Sequence, residues 1–116
     1  MGLTNVYVKV GKGKKAIDVE FLVDSGAKYT LLPEKFWKEL GLEPIDEASF
    51  VLADGTTITR KISEVWVEYA GRGRTVQVIL GEGNDEALLG VLTLEALGLM
   101  LNPFSRELLP MRLMLA

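Results

Sequence analysis

In FLVDSGAKYTLLP, Phe21 to Pro33, an apolar run ends on a carboxylate: Asp24 directly follows Phe21, Leu22 and Val23 and directly precedes Ser25 and Gly26. Aspartate, serine and glycine each favour turns, so a plain strand-end turn is one reading of these residues. The flanks FLV and A-x-x-T-L-L are apolar enough to bury both sides of the loop. An ionisable group held there must be paired, hydrogen-bonded or partly neutralised, which points to a specific role for Asp24. The chain contains no histidine and no cysteine. Those absences remove Ser-His-Asp and Cys-His nucleophilic catalysis, zinc sites of the Cys/His kind and histidine acid–base work. Carboxylates, lysines and hydroxyls remain as the groups that could do chemistry.

The elements that must position Asp24 are short and densely punctuated. At 116 residues the chain reads as a single domain, 1–116, and a domain of this size buries roughly two thirds of the surface of its unfolded chain. Hydrophobic residues make up 48% and charged residues 25%, with a net charge of -3 and both signs scattered. This balance argues against nucleic acid as a partner. No run approaches the roughly 18 apolar residues of a membrane span, and MGLTNVYVKV lacks the layout of a signal peptide, so the expected location is cytoplasmic, with no membrane partner.

NVYVKV alternates, with Val6, Val8 and Val10 on one face, and GKGKK turns it into AIDVEFLV, a β-hairpin. Pro33 fits the first position of a short helix, EKFWKEL, in which Phe36, Trp37 and Leu40 share a face and Gly41 supplies a left-handed cap. SFVLADGTTITRKISEVWVEYA reads as two strands around an Asp54-Gly55 turn. The second strand slips in register near Ser63, as at a bulge or bend. GRGR turns into TVQVIL, GEGNDE is a polar loop, and ALLG leads into a second short helix, VLTLEALG, capped by Gly98. LMLNP, FSRE and LLPMRLML give a strand, a turn and a last strand. The class is mainly β with one or two short helices.

FLVDSGAKYTLLP resembles the apolar-apolar-Asp-Ser/Thr-Gly-Ala-x-x-Thr signature of the retropepsin-like aspartic proteases. ALLGVLTLEALGL is similar to that family's second signature, two apolar residues and a glycine before a short helix. The gap of about 65 residues and the intervening ADGT hairpin fit the same layout, and the resemblance covers nearly the whole chain. It implies a closed β-barrel of the acid-protease type with a flap hairpin, forming half of a two-fold symmetric dimer. The implied activity is an aspartic endopeptidase that needs no cofactor and no metal.

Peptide hydrolysis without metal or covalent nucleophile uses one carboxylate to deprotonate water and another to protonate the scissile carbonyl oxygen. Two neighbouring acids cannot both ionise, so they share a proton. Only one DSG is present. Asp54-Gly55-Thr56 has its order reversed, and Asp85-Glu86 lies in a polar loop without an apolar lead, so the second acid must come from another copy of the chain. The expected partners are thus a homodimer mate and an extended peptide or protein substrate.

By resemblance, Asp24, Ser25 and Gly26 form the catalytic loop, with Ser25 bracing the two loops across the dimer or making only a local turn bond. Gly26 and Ala27 line the substrate, while Ala53, Asp54 and Gly55 form the tip of a flap that adds backbone hydrogen bonds to it. An ordinary exposed hairpin is the alternative for those three. Thr30, Leu88, Leu89 and Gly90 are structural members of the two signatures. Lys28 stands where viral members commonly have an acid that binds substrate backbone, so that contact is not expected here.

Leu108, Leu109, Met111, Leu113 and Leu115 in the apolar tail need cover, either from the dimer partner or from the chain's own sheet. GKGKKA has the composition of a phosphate loop but joins two strands, which makes it a hairpin turn. Arg72 and Arg74 read as solvated turn charges, and Trp37 and Trp66 as core or interface residues. A function from another class, a non-catalytic dimeric β module that binds extended peptides, accounts for the same fold. Against it, a module freed from catalysis has no folding reason to keep like charges at an axis.

Overall fold

The computed structural model describes residues 4–24 and 26–111. Ser25 and the tail residues Leu113 and Leu115 lie outside the described residues. The strands are β1 (Thr4–Lys12), β2 (Lys15–Val23), β3 (Leu31–Leu32), β4 (Asp46–Val51), β5 (Thr57–Tyr69), β6 (Arg72–Leu80), β7 (Leu88–Leu89), β8 (Leu99–Asn102) and β9 (Glu107–Pro110). Two short helices, α1 (Glu34–Glu39) and α2 (Val91–Ala96), follow β3 and β7. None of the described helices is long and apolar enough to cross a membrane.

Alternation in the long strands builds the core. Val8 and Val10 of β1, Val19 and Phe21 of β2, Val65 and Val67 of β5, and Val78 and Leu80 of β6 all turn to one side and are buried. The main sheet runs β1-β2-β7-β3-β6-β5-β4, and β1 also pairs with β5. That extra pairing returns the sheet on itself, closing six strands into a ring and leaving β4 outside it. Closure gives the inward faces a shared interior and reduces the open edge that would otherwise seek partners, with β4 paired on one side only.

The turns at α1 and ahead of β6 follow local chemistry, each with one departure from expectation. Pro33 occupies the N-cap of α1 rather than its first helical position, with ψ at 153°. The far end matches expectation: Gly41 has φ 69°, its N–H donates to the Lys38 carbonyl, and the Leu42 N–H donates to the Trp37 carbonyl, a left-handed Schellman cap. The turn ahead of β6 is made by Ala70 and Gly71, both with positive φ, so the strand already includes Arg72, Gly73 and Arg74. Positive φ at both central residues gives the twist that suits a two-residue hairpin.

No bulge interrupts β5 near Ser63. Its pairing with β6 is continuous from Lys61 opposite Leu80 to Tyr69 opposite Arg72. Ser63 is tolerated inside because its hydroxyl donates to the Glu43 carbonyl at 2.7 Å, satisfying a group that would be costly to bury alone. The slip itself is present without an extra residue: the buried phase passes from Ile58, Arg60 and Ile62 to Ser63, Val65 and Val67, with Ile62 and Ser63 both buried.

Arg72 and Trp37 have structural work. The Arg72 guanidinium donates to the Leu97 carbonyl at 3.2 Å, at the C-terminal end of α2. The Trp37 indole donates to the Gly81 carbonyl at 2.9 Å, and Trp66 lies over Gly73 on the outer face, partly exposed. Leu108 is buried on β9, which pairs with β8 in a separate two-stranded sheet. Over the described residues, then, this chain's own hairpin takes up the start of the tail.

Candidate active site

Two parallel ladders put Asp24 where it is. β2 pairs with β7 through Leu22 opposite Leu88 and Val23 opposite Leu89, so the apolar pairs of the two sequence signatures lie side by side. The Asp24 N–H extends this ladder to the Leu89 carbonyl at 3.3 Å. The second ladder joins β3 to β6, through Leu31 opposite Ile79 and Leu32 opposite Leu80. β7 also pairs with β3 through Leu31 and Leu88, so the segment from Asp24 to Thr30 leaves the sheet on one side of β7 and returns on the other.

Within that loop the Gly26 N–H donates to Asp24 Oδ1 at 2.8 Å, and the Ala27 N–H donates to the Asp24 carbonyl at 3.0 Å. The carboxylate is thus oriented by main chain. A Cβ on Gly26 would stand 3.2 Å from Asp24 Oδ1, so glycine leaves the carboxylate room. Asp24 is exposed in the single chain. The burial expected from its apolar flanks is therefore not found in this chain, because the flanking residues turn into the core while the acid lies beyond the end of β2.

The first turn of α2 clamps the loop from behind. Val91 and Leu92 N–H groups donate to the carbonyls of Ala27 and Lys28 at 2.8 and 3.1 Å. Unpaired N–H groups at a helix start are thereby satisfied by the loop they hold. Thr30 is 1% exposed, and its hydroxyl oxygen accepts the Gly90 N–H at 2.9 Å and meets the Thr93 hydroxyl at 2.6 Å. Gly90 is required by close approach: a Cβ there would overlap the Tyr29 carbonyl group and stand 2.7 Å from the Lys28 carbonyl carbon. Thr93 has no counterpart in the sequence reading; a lone buried hydroxyl on an apolar helix was its only signal.

A cleft of about 720 Å³ opens beside this loop, lined by Asp24, Gly26, Ala27 and Leu88 on one side and by the β4 end and its loop on the other. The Tyr29 ring packs edge-on against Phe50 of β4 with centroids 5.3 Å apart, joining the two walls. Ala53 reaches the cleft, whereas Asp54 and Gly55 lie beyond its lining. Val51 pairs with Thr57, so Leu52 to Thr56 form a five-residue loop rather than a two-residue turn. Gly55 has φ 88°, and Asp54 Oδ1 accepts both the hydroxyl and the N–H of Thr56 at 2.6 and 2.9 Å. Those two bonds, the hydroxyl's first, hold the exposed Asp54 carboxyl below the ordinary carboxylate range.

Asp85 is occupied elsewhere. Arg60 of β5 donates to it through Nε at 2.8 Å and through a terminal nitrogen at 3.3 Å, and the Glu82 N–H adds a third bond. The Arg60 hydrogen bond is the main cause that holds the Asp85 carboxyl below its usual 3.8, with partial burial opposing it. A depressed folded value contributes stability above the unfolded value, and that stability is lost as pH falls through the folded one. Asp85→Asn should therefore cost about 1 to 2 kcal/mol at neutral pH. Urea denaturation should show the difference shrinking as the pH is lowered below about 4. An equal cost at both ends of that range would remove the ion pair as its cause.

An aspartyl protease family model matches residues 6–93, and the chain belongs to that family, with a retropepsin-like fold. Among solved structures it is similar to the EIAV protease complexed with the inhibitor HBY-793, at a TM-score of 0.70 and 16% identity over 84% of this chain and 89% of that one. It is also similar to the retroviral protease-like domain of Ddi1 from Leishmania major, at a TM-score of 0.61 and 16% identity over 94% of this chain and 90% of that one. No curated protein matches the chain.

Proposed function

We propose that the protein is an aspartic endopeptidase that works as a homodimer, with Asp24 of each subunit meeting at the two-fold axis. The observation that carries this reading is an exposed, main-chain-oriented Asp24 at the wall of a cleft whose lining, among the described residues, contains no second acid. Arg60 engages Asp85 and Thr56 engages Asp54, so neither acid is available to complete the pair within one chain. A second copy related by a two-fold axis supplies the same group in the symmetry-related position. Exposed Leu92, Met100 and Leu109 provide apolar surface that such a partner could cover.

In the proposed reaction the ionised Asp24 carboxylate takes a proton from water as its oxygen attacks the scissile carbonyl. The protonated Asp24 of the other subunit gives its proton to the carbonyl oxygen, yielding a neutral tetrahedral diol. Return of a proton to the amide nitrogen breaks the C–N bond and releases an acid and an amine. Ser25 would brace the pair of loops, Gly26 and Ala27 would let substrate backbone approach, and the loop bearing Ala53, Asp54 and Gly55 would close over it.

Cleavage of an unfolded protein, followed from about pH 3 to 7 over a range of enzyme concentrations, tests this reading. Specific activity should rise with concentration and level off where sedimentation shows the dimer to be complete. Activity per chain that stays constant through dissociation would overturn the shared site. A dimer with no turnover at any pH would leave a peptide-binding module instead.

A further inference from the structure

One charge in the cleft has no part in the proposed hydrolysis. Of the described residues lining it, Asp24 is the one acid and Lys28 the one base; Leu31, Phe50, Ile58, Ile79 and Leu88 make most of the rest apolar. Lys28 is exposed, and among the described residues no carboxylate lies within salt-bridge distance of its ammonium. Its backbone is nonetheless fixed, because its carbonyl accepts the Leu92 N–H. Its Nζ lies 5.8 Å from the centroid of the Tyr29 ring, which itself packs on Phe50 across the cleft wall. The ammonium thus stands near the Tyr29 ring beside a mostly apolar cleft, with no carboxylate paired to it among the described residues.

Resting on the endopeptidase reading, we propose that Lys28 is a specificity-determining residue that favours peptides carrying a carboxylate near the scissile bond. It lies four positions beyond Asp24, a span of at most about 14 Å, and an extended substrate advances roughly 3.3 Å per residue. The carboxylate therefore belongs within about four residues of the cleaved bond. Two-fold symmetry places one Lys28 on each side of that bond, so acids are favoured on both sides. An internal Asp or Glu and a chain-terminal carboxylate offer the same chemistry.

The test is a peptide series with a central apolar pair and Glu, Gln or Lys at each of the flanking positions, each with a free or an amidated C-terminus. Values of kcat/KM are compared for wild type, Lys28→Gln and Lys28→Glu at low and high salt. Binding of the same labelled peptides is measured with Asp24→Asn and with Asp24→Asn/Lys28→Glu. Glu should exceed Gln by about threefold to tenfold at one position or more, and the ratio should shrink at high salt. It should vanish in Lys28→Gln and invert towards Lys in Lys28→Glu, with Tm unchanged because the side chain is exposed. A drop on amidation alone identifies the chain end as the carboxylate source, and a drop from Glu to Gln identifies the side chain.

Glu and Gln equal within about twofold throughout, with no drop on amidation, or a preference that survives Lys28→Gln, overturns the proposal while leaving the endopeptidase standing. If nothing is cut, the hydrolytic reading fails and the binding series still decides: tighter binding of Glu peptides, lost in the double variant, upholds Lys28, and equal or absent binding overturns it.

Discussion

Asp24→Asn should abolish peptide cleavage, lowering kcat/KM by at least about a thousandfold, since the same substitution removes the general base and the general acid together. The fold should survive. The introduced amide keeps an oxygen that can accept the Gly26 N–H, and the exposed position imposes no packing change. The dimer should hold at least as tightly as wild type at neutral pH, because the amide pair carries no charge at the axis and needs no shared proton to relieve like-charge repulsion. Sedimentation and cleavage on the same samples check both halves of the expectation.

Mixing the two forms sharpens the result. If the site takes one Asp24 from each subunit, an equimolar mixture at exchange equilibrium contains about one quarter wild-type homodimer, and cleavage should fall to roughly that fraction of an equal total of wild type. Activity of about one half would mean that each chain works alone, which contradicts the shared pair. Residual activity in pure Asp24→Asn that matches wild type would assign the cleavage to other residues or to a contaminant.

Gly90→Ala carries the largest expected loss of stability. The added methyl would overlap the Tyr29 carbonyl, and the obstructing atoms are backbone, which cannot swing aside as a side chain can. Moving the loop would strain the bonds from Val91 to Ala27 and from Leu92 to Lys28, as well as the Thr30–Gly90 bond. A cost of about 3 kcal/mol or more follows, at the severe end for a single overpacking change. For a domain of this size that lowers Tm by roughly 10 °C. A Tm within about 2 °C of wild type would mean that α2 slides without resistance, and that Gly90 does not hold the Asp24 loop in place.

Much of this architecture was legible along the chain because it depends on local chemistry. The first hairpin follows from the alternation of Val6, Val8 and Val10, and the ends of both helices from Gly41 and Gly98. Asp24 stood out because an apolar run ended on it. Other features were misread where a polar residue found a distant partner. At Ser63 the change of phase was legible but the bulge was not there and the Glu43 partner was not foreseen, and Arg72 looked like a solvated charge until the end of α2 met it.

By itself the sequence determined the mainly β class, the two short helices and the segments that carry the two signatures, since side-chain periodicity and turn preference act over a few residues. Only the tertiary structure decided that Leu22 and Val23 lie against Leu88 and Leu89, that Thr30 meets Gly90 and Thr93, and that Arg60 occupies Asp85. It also decided that Asp24 is exposed on its chain and that Lys28 stands beside a mostly apolar cleft. These contacts join residues as far apart in the chain as Leu22 and Leu88. No local preference specifies them; they arise when closing the sheet buries its apolar faces and forces each remaining polar group to find a partner.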